Sequence, residues 1–122
     1  MGNTGTQDIT QELTSAEIYS AEQDLDTKVA DYELVLADAG KLIEMNSGSA
    51  NEVTVPANAD VAFPIGTRID ICQYGAGVTS IVAAGGVTIN ATPGLNLRAQ
   101  FSAATLVKRA TNEWYLYGDL SS

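Results

Sequence analysis

The amino-acid sequence predicts an all-β fold, and two observations support this prediction. Short runs of β-branched, aliphatic and aromatic residues with alternating polarity recur from residue 32 onward. Turn residues separate these runs at intervals of about ten residues, which is typical of a sandwich or barrel rather than of βαβ units. We therefore expect residues 32–122 to form an antiparallel sandwich or barrel-like domain of about nine short strands.

The first five candidate strands show the clearest alternation. Tyr32, Leu34 and Leu36 share one face of the first strand, and Ile69 and Ile71 share one face of the fourth. Small and turn-forming residues interrupt the pattern between the strands. These strands are Tyr32–Leu36, Lys41–Met45, Glu52–Val55, Arg68–Tyr74 and Thr79–Ala83, with turns at Ala39-Gly40, Asn46–Ser49 and Gly75–Gly77.

Four more candidate strands follow, and the last two form a terminal hairpin. They are Val87–Asn90, Leu95–Ala99, Ala104–Arg109 and Glu113–Gly118, with turns at Gly85-Gly86, Thr92–Gly94 and Thr111-Asn112. The segment before the last turn has some helical character, but Thr105 fits a strand better. Alternation in the final strand predicts that Trp114 and Leu116 are buried while Tyr115 and Tyr117 are partly exposed. The alternative is that Lys108 and Arg109 form a basic and aromatic cluster with Trp114, Tyr115 and Tyr117 that stacks on a sugar or a base.

Residues 1–31 are expected to be an acidic N-terminal arm. Their apolar residues Leu13, Ile18, Leu25 and Val29 are too sparse to form a core. The spacing between Leu25 and Val29 suits a short helix, but an extended arm and a disordered tail fit the composition as well. We expect these four residues to seat in shallow pockets of a neighbouring protein.

The charge is unevenly distributed and argues against several partners. The chain of 122 residues has a net charge of -9. Twelve acidic residues and two lysines lie in residues 1–60, while three acidic and four basic residues follow, so the halves carry -10 and +1. An acidic chain is repelled by phosphate, so we expect neither nucleic-acid binding nor docking to an anionic membrane. The sequence also contains no candidate secretory signal or membrane helix.

The residues available for chemistry predict a protein without enzymatic activity. Histidine is absent, which removes the commonest general base and metal ligand. The single cysteine, Cys72, is expected to be a small packed residue, although Arg68 on the same strand face is able to lower its pKa. Asp24 begins a loose calcium-loop pattern, but Val29 and Val35 stand where the loop needs Gly and Glu. We expect no catalytic residue, metal site or cofactor, with a diffuse calcium site and a two-carboxylate glycosidase as minor alternatives.

Most of the chain resembles a β-rich module of tailed-bacteriophage virion proteins. The resemblance rests on Tyr32–Asn46 (YELVLADAGKLIEMN), Val53–Pro56, Phe63–Thr67, Gln73–Gly77, Val87–Asn90, Leu106–Arg109, Trp114 and Asp119-Leu120. That family occurs in head-associated, tail and fibre proteins, and it implies a structural role without catalytic residues. Here the module is almost the whole sequence, which favours a small accessory protein over a long fibre.

The resemblance implies two competing functions. The first is a capsid decoration (cement) protein, made in the host cytoplasm, that binds the major capsid protein or other virion proteins and stabilises the shell. The second is a tail, fibre or spike module that binds a host-surface glycan or protein. We expect a homotrimer, because accessory proteins of this kind gather around threefold axes and because Tyr115 and Tyr117 offer a face that a neighbouring subunit can cover.

Overall fold

The computed structural model describes residues 22–122, and these residues form an all-β domain as predicted. Its eleven strands are β1 (Leu25–Lys28), β2 (Tyr32–Glu33), β3 (Leu42–Met45), β4 (Asn51–Val55), β5 (Arg68–Gln73), β6 (Thr79–Ala83), β7 (Thr88–Asn90), β8 (Asn96–Leu97), β9 (Ala103–Ala110), β10 (Glu113–Gly118) and β11 (Leu120–Ser121). Each of the nine predicted strands overlaps one of these, while β1 and β11 are additional. The first predicted strand is wrong in part, because β2 ends at Glu33 and Leu36 is exposed rather than on the buried face of Leu34. A short 3-10 helix spans Leu36–Asp38. Between residues 22 and 122, no helix is long and apolar enough to cross a membrane.

The strands form two mixed sheets, so the prediction of an antiparallel domain is wrong in part. The six-stranded sheet has the order β1-β3-β5-β9-β10-β7, and the five-stranded sheet has the order β11-β8-β6-β4-β2. Parallel pairs join β1 to β3, β3 to β5, β2 to β4, β4 to β6 and β7 to β10. The pairs of β9 with β5 and β10, and of β8 with β6 and β11, are antiparallel. The two sheets do not close into a barrel.

The parallel pairs arise because consecutive strands from β1 to β9 lie alternately in the two sheets. The chain therefore passes once through both sheets, a path we call one winding, before it adds the next strand to the same sheet. Up to β6, successive strands of one sheet run in the same direction. Leu42 pairs with Asp70 and Asn51 pairs with Thr79, a constant offset of 28 residues between two successive windings. Alternating runs between turns do not reveal whether a strand folds back or crosses over, so the sequence pattern alone could not predict this arrangement.

Two glycines allow successive windings to stack closely. The backbone of Gly75 lies against Ser47, and the backbone of Gly77 lies against Ser49. A Cβ atom at either glycine would overlap the serine backbone beneath it. The predicted turns at Asn46–Ser49 and Gly75–Gly77 are therefore neighbouring layers of one end of the domain.

A buried polar network fixes these stacked turns. The Thr79 hydroxyl donates a hydrogen bond of 2.7 Å to Asn51 Oδ1. The backbone N–H of Thr79 donates to Gln73 Oε1 at 3.1 Å. All three residues are buried, so these bonds satisfy polar groups that would otherwise destabilise the fold.

The hydrophobic core lies between the two sheets and confirms the predicted alternation in β10. Trp114 and Leu116 are buried, whereas Tyr115 and Tyr117 are exposed. The Trp114 ring packs edge-on against Phe63, with 5.5 Å between ring centres. The other buried apolar residues are Leu34, Ile43, Met45, Val53, Val55, Ile69, Ile71, Ile81, Leu97, Ala104, Leu106 and Leu120.

The described end of the predicted arm belongs to the larger sheet. The sheet begins at Leu25, ahead of the predicted domain boundary at residue 32, because β1 pairs with β3. Asp26 and Lys28 share the face of the buried residues Ile43 and Met45, so a charged layer covers this end of the core. Lys28 lies 3.4 Å from the Asp26 carboxylate and 4.3 Å from the centre of the Tyr32 ring. Charged residues on the inner face of an edge strand discourage further strand pairing.

Candidate interaction surface

The outer face of the six-stranded sheet carries exposed apolar residues from both ends of the described chain. We call this surface the tyrosine face. The strand register places one row of residues across five strands: Leu25, Leu42, Asp70, Thr105 and Tyr117. A neighbouring row contains Arg68, Val107, Tyr115 and Asn90. Leu25 is 59% exposed and Tyr117 is 56% exposed, so apolar surface remains available at both ends of the first row.

The structure brings three of the predicted interface residues onto this surface. Tyr115 and Tyr117 project from β10, and Leu25 projects from β1. About 19 Å separates Leu25 from Tyr117, since four strand spacings of about 4.8 Å lie between them. Val29 follows the end of β1 and is exposed. Leu13 and Ile18 lie outside the described residues.

Asp70 is the polar centre of the tyrosine face and was not singled out by the sequence. Its carboxylate accepts hydrogen bonds from Thr105 Oγ1 at 2.6 Å and Gln23 Nε2 at 2.7 Å, and from Arg68 at 3.3 and 3.4 Å. Burial alone would raise the pKa of Asp70, but these hydrogen bonds and the Arg68 charge outweigh that effect and hold the pKa below its usual value. The only available signal was the position of Arg68 and Asp70 on the same face of a predicted strand.

Two shallow grooves run along the two sides of Tyr117. The first has a volume of about 400 Å³, and its polar lining includes Gln23, Arg68 and Asp70. The second has a volume of about 380 Å³ and is lined by Asn90, Ala91, Thr92, Tyr115, Leu116 and Tyr117. We call the second the uncharged groove, because it contains no Asp, Glu, Lys or Arg. It forms because β7 ends at Asn90, which pairs with Tyr115, so the end of β10 lacks a strand neighbour on that side.

The basic and aromatic residues of the terminal hairpin do not form a single cluster. Lys108 is only 2% exposed, and its ammonium group donates to Asn58 Oδ1 at 2.5 Å and to the Phe63 carbonyl at 2.7 Å. Arg109 points outward and donates to the Tyr115 hydroxyl and to Glu113, each at 3.1 Å. Lys108 therefore fixes a loop to the core, while Arg109 orients one ring of the tyrosine face. Alternation with the buried Leu106 was the sequence signal for the inward position of Lys108.

Cys72 lies half-buried on the tyrosine face, beside Glu44 and Ala103. Burial raises the pKa of its thiol, and the charge of Glu44 adds to the effect. Arg68, which the sequence suggested as a residue able to lower this pKa, donates its hydrogen bond to Asp70. This environment disfavours the thiolate and agrees with the expected role as a packed residue.

The outer face of the five-stranded sheet has a different chemical character. Its outward residues are mostly acidic, hydroxyl or amide side chains, such as Glu33, Glu52, Thr54, Ser80 and Asn96. The Ser80 hydroxyl donates a hydrogen bond to Asn96 Oδ1 at 2.6 Å, so some polar groups of this face already have partners within it. The exposed leucine and tyrosine side chains of the domain's sheets thus lie on the tyrosine face. Over residues 22–122, no group of three or more cysteine or acidic residues is arranged to hold a metal ion.

No protein-family model matches the sequence, and no curated protein matches it. The resemblance to a phage virion module therefore stays a prediction.

Proposed function

We propose that the protein is a non-enzymatic structural protein of a tailed-phage virion. In this proposal it is a capsid decoration protein that binds the major capsid protein and stabilises the shell as a homotrimer. The observation that carries the proposal is the row that joins Leu25 to Tyr117 on one exposed face. The sequence resemblance supports the choice of a virion over other assemblies.

The tyrosine face has the composition of a protein-binding surface. Exposed tyrosines are enriched at protein interfaces because they bury a large ring while their hydroxyl keeps a polar partner. The Tyr115 hydroxyl already accepts a hydrogen bond from Arg109. Burying Leu25 or a tyrosine ring in an interface stabilises it by about 1.5–3 kcal/mol per side chain.

The N-terminal segment approaches the body at the edge of this same face. Gln23 donates to Asp70, and β1 forms the edge of the sheet immediately afterwards. Residues 1–31 carry seven acidic residues and Lys28, a net charge of -6. Residues 1–21 and the tyrosine face can therefore contact one partner together, and a basic groove on that partner would attract the segment in a salt-sensitive manner.

The proposal is tested by deleting residues 1–21, which leaves β1 in the sheet. The truncated protein should keep its β-type circular dichroism and cooperative melting, since its core remains complete. It should bind purified capsid shells of its phage at least about tenfold more weakly than the full chain, a loss of about 1.4 kcal/mol. Unchanged binding would show that the segment takes no part in attachment.

The number of copies in each virion separates decoration from the second candidate, a tail, fibre or spike module. Hundreds of copies indicate decoration, whereas a few to a few tens indicate a tail or spike position. The groove beside Tyr117 favours a glycan for the second candidate, because an aromatic ring there lies next to hydrogen-bonding groups of Gln23, Arg68 and Asp70. Quantitative mass spectrometry of purified virions distinguishes the two.

A further inference from the structure

Phe101 occupies a backbone conformation and an environment that both oppose stability. Its φ angle is +72°, a region that disfavours L-residues with a bulky side chain and suits glycine. Its side chain is 66% exposed and contacts the exposed ring of Tyr74, with 6.0 Å between ring centres. A strained backbone that presents an exposed aromatic ring is a reason to look for a binding role.

The surface around Phe101 is uncharged although the chain is strongly acidic. We call it the tip, and it consists of residues 46–51, 73–79 and 99–102, none of which is Asp, Glu, Lys or Arg. These three segments are held together by backbone bonds, including Phe101 N–H to the Gln73 carbonyl at 2.6 Å and Gly77 N–H to the Ser47 carbonyl at 2.9 Å. The tip presents Tyr74, Val78 and Phe101 as exposed apolar side chains.

The uncharged groove beside Tyr117 has the matching chemistry. Its lining contains the apolar residues Ala91 and Leu116 and the aromatic residues Tyr115 and Tyr117. Its volume of about 380 Å³ accommodates an aromatic side chain. Two copies of a chain with a net charge of -9 repel one another, and a contact between two uncharged surfaces adds the least repulsion.

We propose that Phe101 of one copy packs into the uncharged groove of a second copy. The inference rests on the self-association included in the proposed function and assigns its contact. The tip and the uncharged groove are different surfaces of the same chain. In the trimer of the proposed function this contact runs head to tail and closes into a ring when the rotation between copies is one third of a turn. Each copy in such a trimer uses both its tip and its groove.

The first test compares the association of two variants by sedimentation velocity of the full chain. Phe101→Gly should weaken association at least about thirtyfold, as expected for an aromatic anchor. Its melting temperature should stay the same or rise, because glycine adopts the positive φ angle without strain. Ile65→Ser is the matched control, since Ile65 is 68% exposed at a position outside the tip, and its association should equal that of the wild type.

The second test uses complementation, which a contact between two different surfaces of the chain predicts. Thr92→Asp places a charge at the exposed rim of the uncharged groove, and Asn90→Asp provides a second variant that places a charge in its exposed lining. Each groove variant alone should be monomeric at concentrations where the wild type associates. Mixing Phe101→Gly with Thr92→Asp should restore a heterodimer, because one intact tip and one intact groove remain.

Two results would overturn the inference. An oligomer that withstands both Phe101→Gly and Thr92→Asp would place the contact elsewhere and leave the proposed trimer in force. A protein that is monomeric at millimolar concentration would reject the contact together with the trimer. Neither result bears on the binding of capsid shells through residues 1–21, which is measured separately.

Discussion

Leu25 and Tyr117 lie in one row across the outer face of the six-stranded sheet, although they come from opposite ends of the described chain. The row is built by three strand pairings and the terminal hairpin, so its geometry depends on the whole sheet. Because β1 is an edge strand, Leu25 also marks where the N-terminal segment meets this face. A single contact surface therefore combines two groups of residues that the sequence suggested separately.

Truncating Trp114 should destabilise the domain strongly. Trp114 is buried and packs against Phe63, so Trp114→Ala is expected to lower the free energy of unfolding by about 3–5 kcal/mol. Tyr115→Ala, on the exposed face of the same strand, is the matched control and should cost about 1 kcal/mol or less. Urea denaturation followed by circular dichroism measures both values, and equal costs would contradict the assigned core.

Replacing Lys108 should destabilise the fold even when its volume is kept. Lys108→Met removes the two hydrogen bonds to Asn58 and the Phe63 carbonyl and leaves buried acceptors without a donor. We expect a loss of about 1–3 kcal/mol in thermal or urea unfolding. Arg109→Met changes an exposed side chain of the same strand and should cost less than about 1 kcal/mol. A Lys108 variant as stable as the wild type would show that these bonds are dispensable.

Stability should fall in acid because two carboxylates have lowered pKa values. Hydrogen bonds from Arg98 and Ser102, together with the Arg98 charge, lower the pKa of Asp119. The pKa of Asp70 is also below its usual value, because its hydrogen bonds and the Arg68 charge outweigh the effect of burial. A lowered pKa in the folded state adds stability above the unfolded pKa of about 3.9, and this stability is lost as the pH falls through the folded value. The melting temperature should therefore be steady from about pH 7 to 5 and fall below about pH 4.

The Asp70→Asn variant isolates one of these groups. It should melt below the wild type at pH 7, and the difference should shrink below about pH 4, where the wild-type carboxylate also becomes neutral. Asp60→Asn removes one exposed carboxylate and is the matched control at pH 7. A difference for Asp70→Asn that does not change with pH would assign its effect to packing.

The sequence predicted which residues form strands more successfully than how those strands pair. Alternation located β3 to β10, because each strand buries one face and the pattern of polar residues records that burial. The parallel winding was missed because pairing depends on where the chain crosses, for example at the stacked turns of Ser47 and Gly75. The β1 strand was missed because its inward residues, Asp26 and Lys28, are charged. A segment with charged residues at these positions has the sequence pattern of a solvent-exposed segment.

The candidate surface was predicted only in part for the same reason. Tyr115 and Tyr117 were identified because their own strand shows which face is exposed. Asp70 was not identified, because the hydrogen bonds that make it the polar centre of this face come from Gln23 and Thr105. Both residues are distant from Asp70 in sequence, and only the sheet register brings them to it. The exposed conformation of Phe101 left no pattern in the sequence, because a single positive φ angle has no periodicity.

Cys72 should be dispensable for folding. Cys72→Ala is expected to change the free energy of unfolding by at most about 1–2 kcal/mol, because the thiol is half-buried and its raised pKa disfavours the thiolate. Its reaction with a thiol-specific reagent at pH 7 should be slower than that of a free cysteine peptide. Faster reaction would reveal an activated thiol and reopen a catalytic interpretation.

The most direct test of the account is the affinity for purified capsid shells after two changes on the tyrosine face. Leu25→Ser with Tyr117→Ser should weaken co-sedimentation with shells at least about thirtyfold, because both ends of the exposed row are altered. Val35→Ser with Leu36→Ser changes two other exposed apolar residues and should leave the affinity unchanged. Thr92→Asp, which alters the uncharged groove and keeps Leu25 and Tyr117, measures how much of the loss comes from self-association alone. Equal binding by the wild type and the Leu25/Tyr117 double variant, with both proteins folded, would contradict the assignment of this face as the attachment surface.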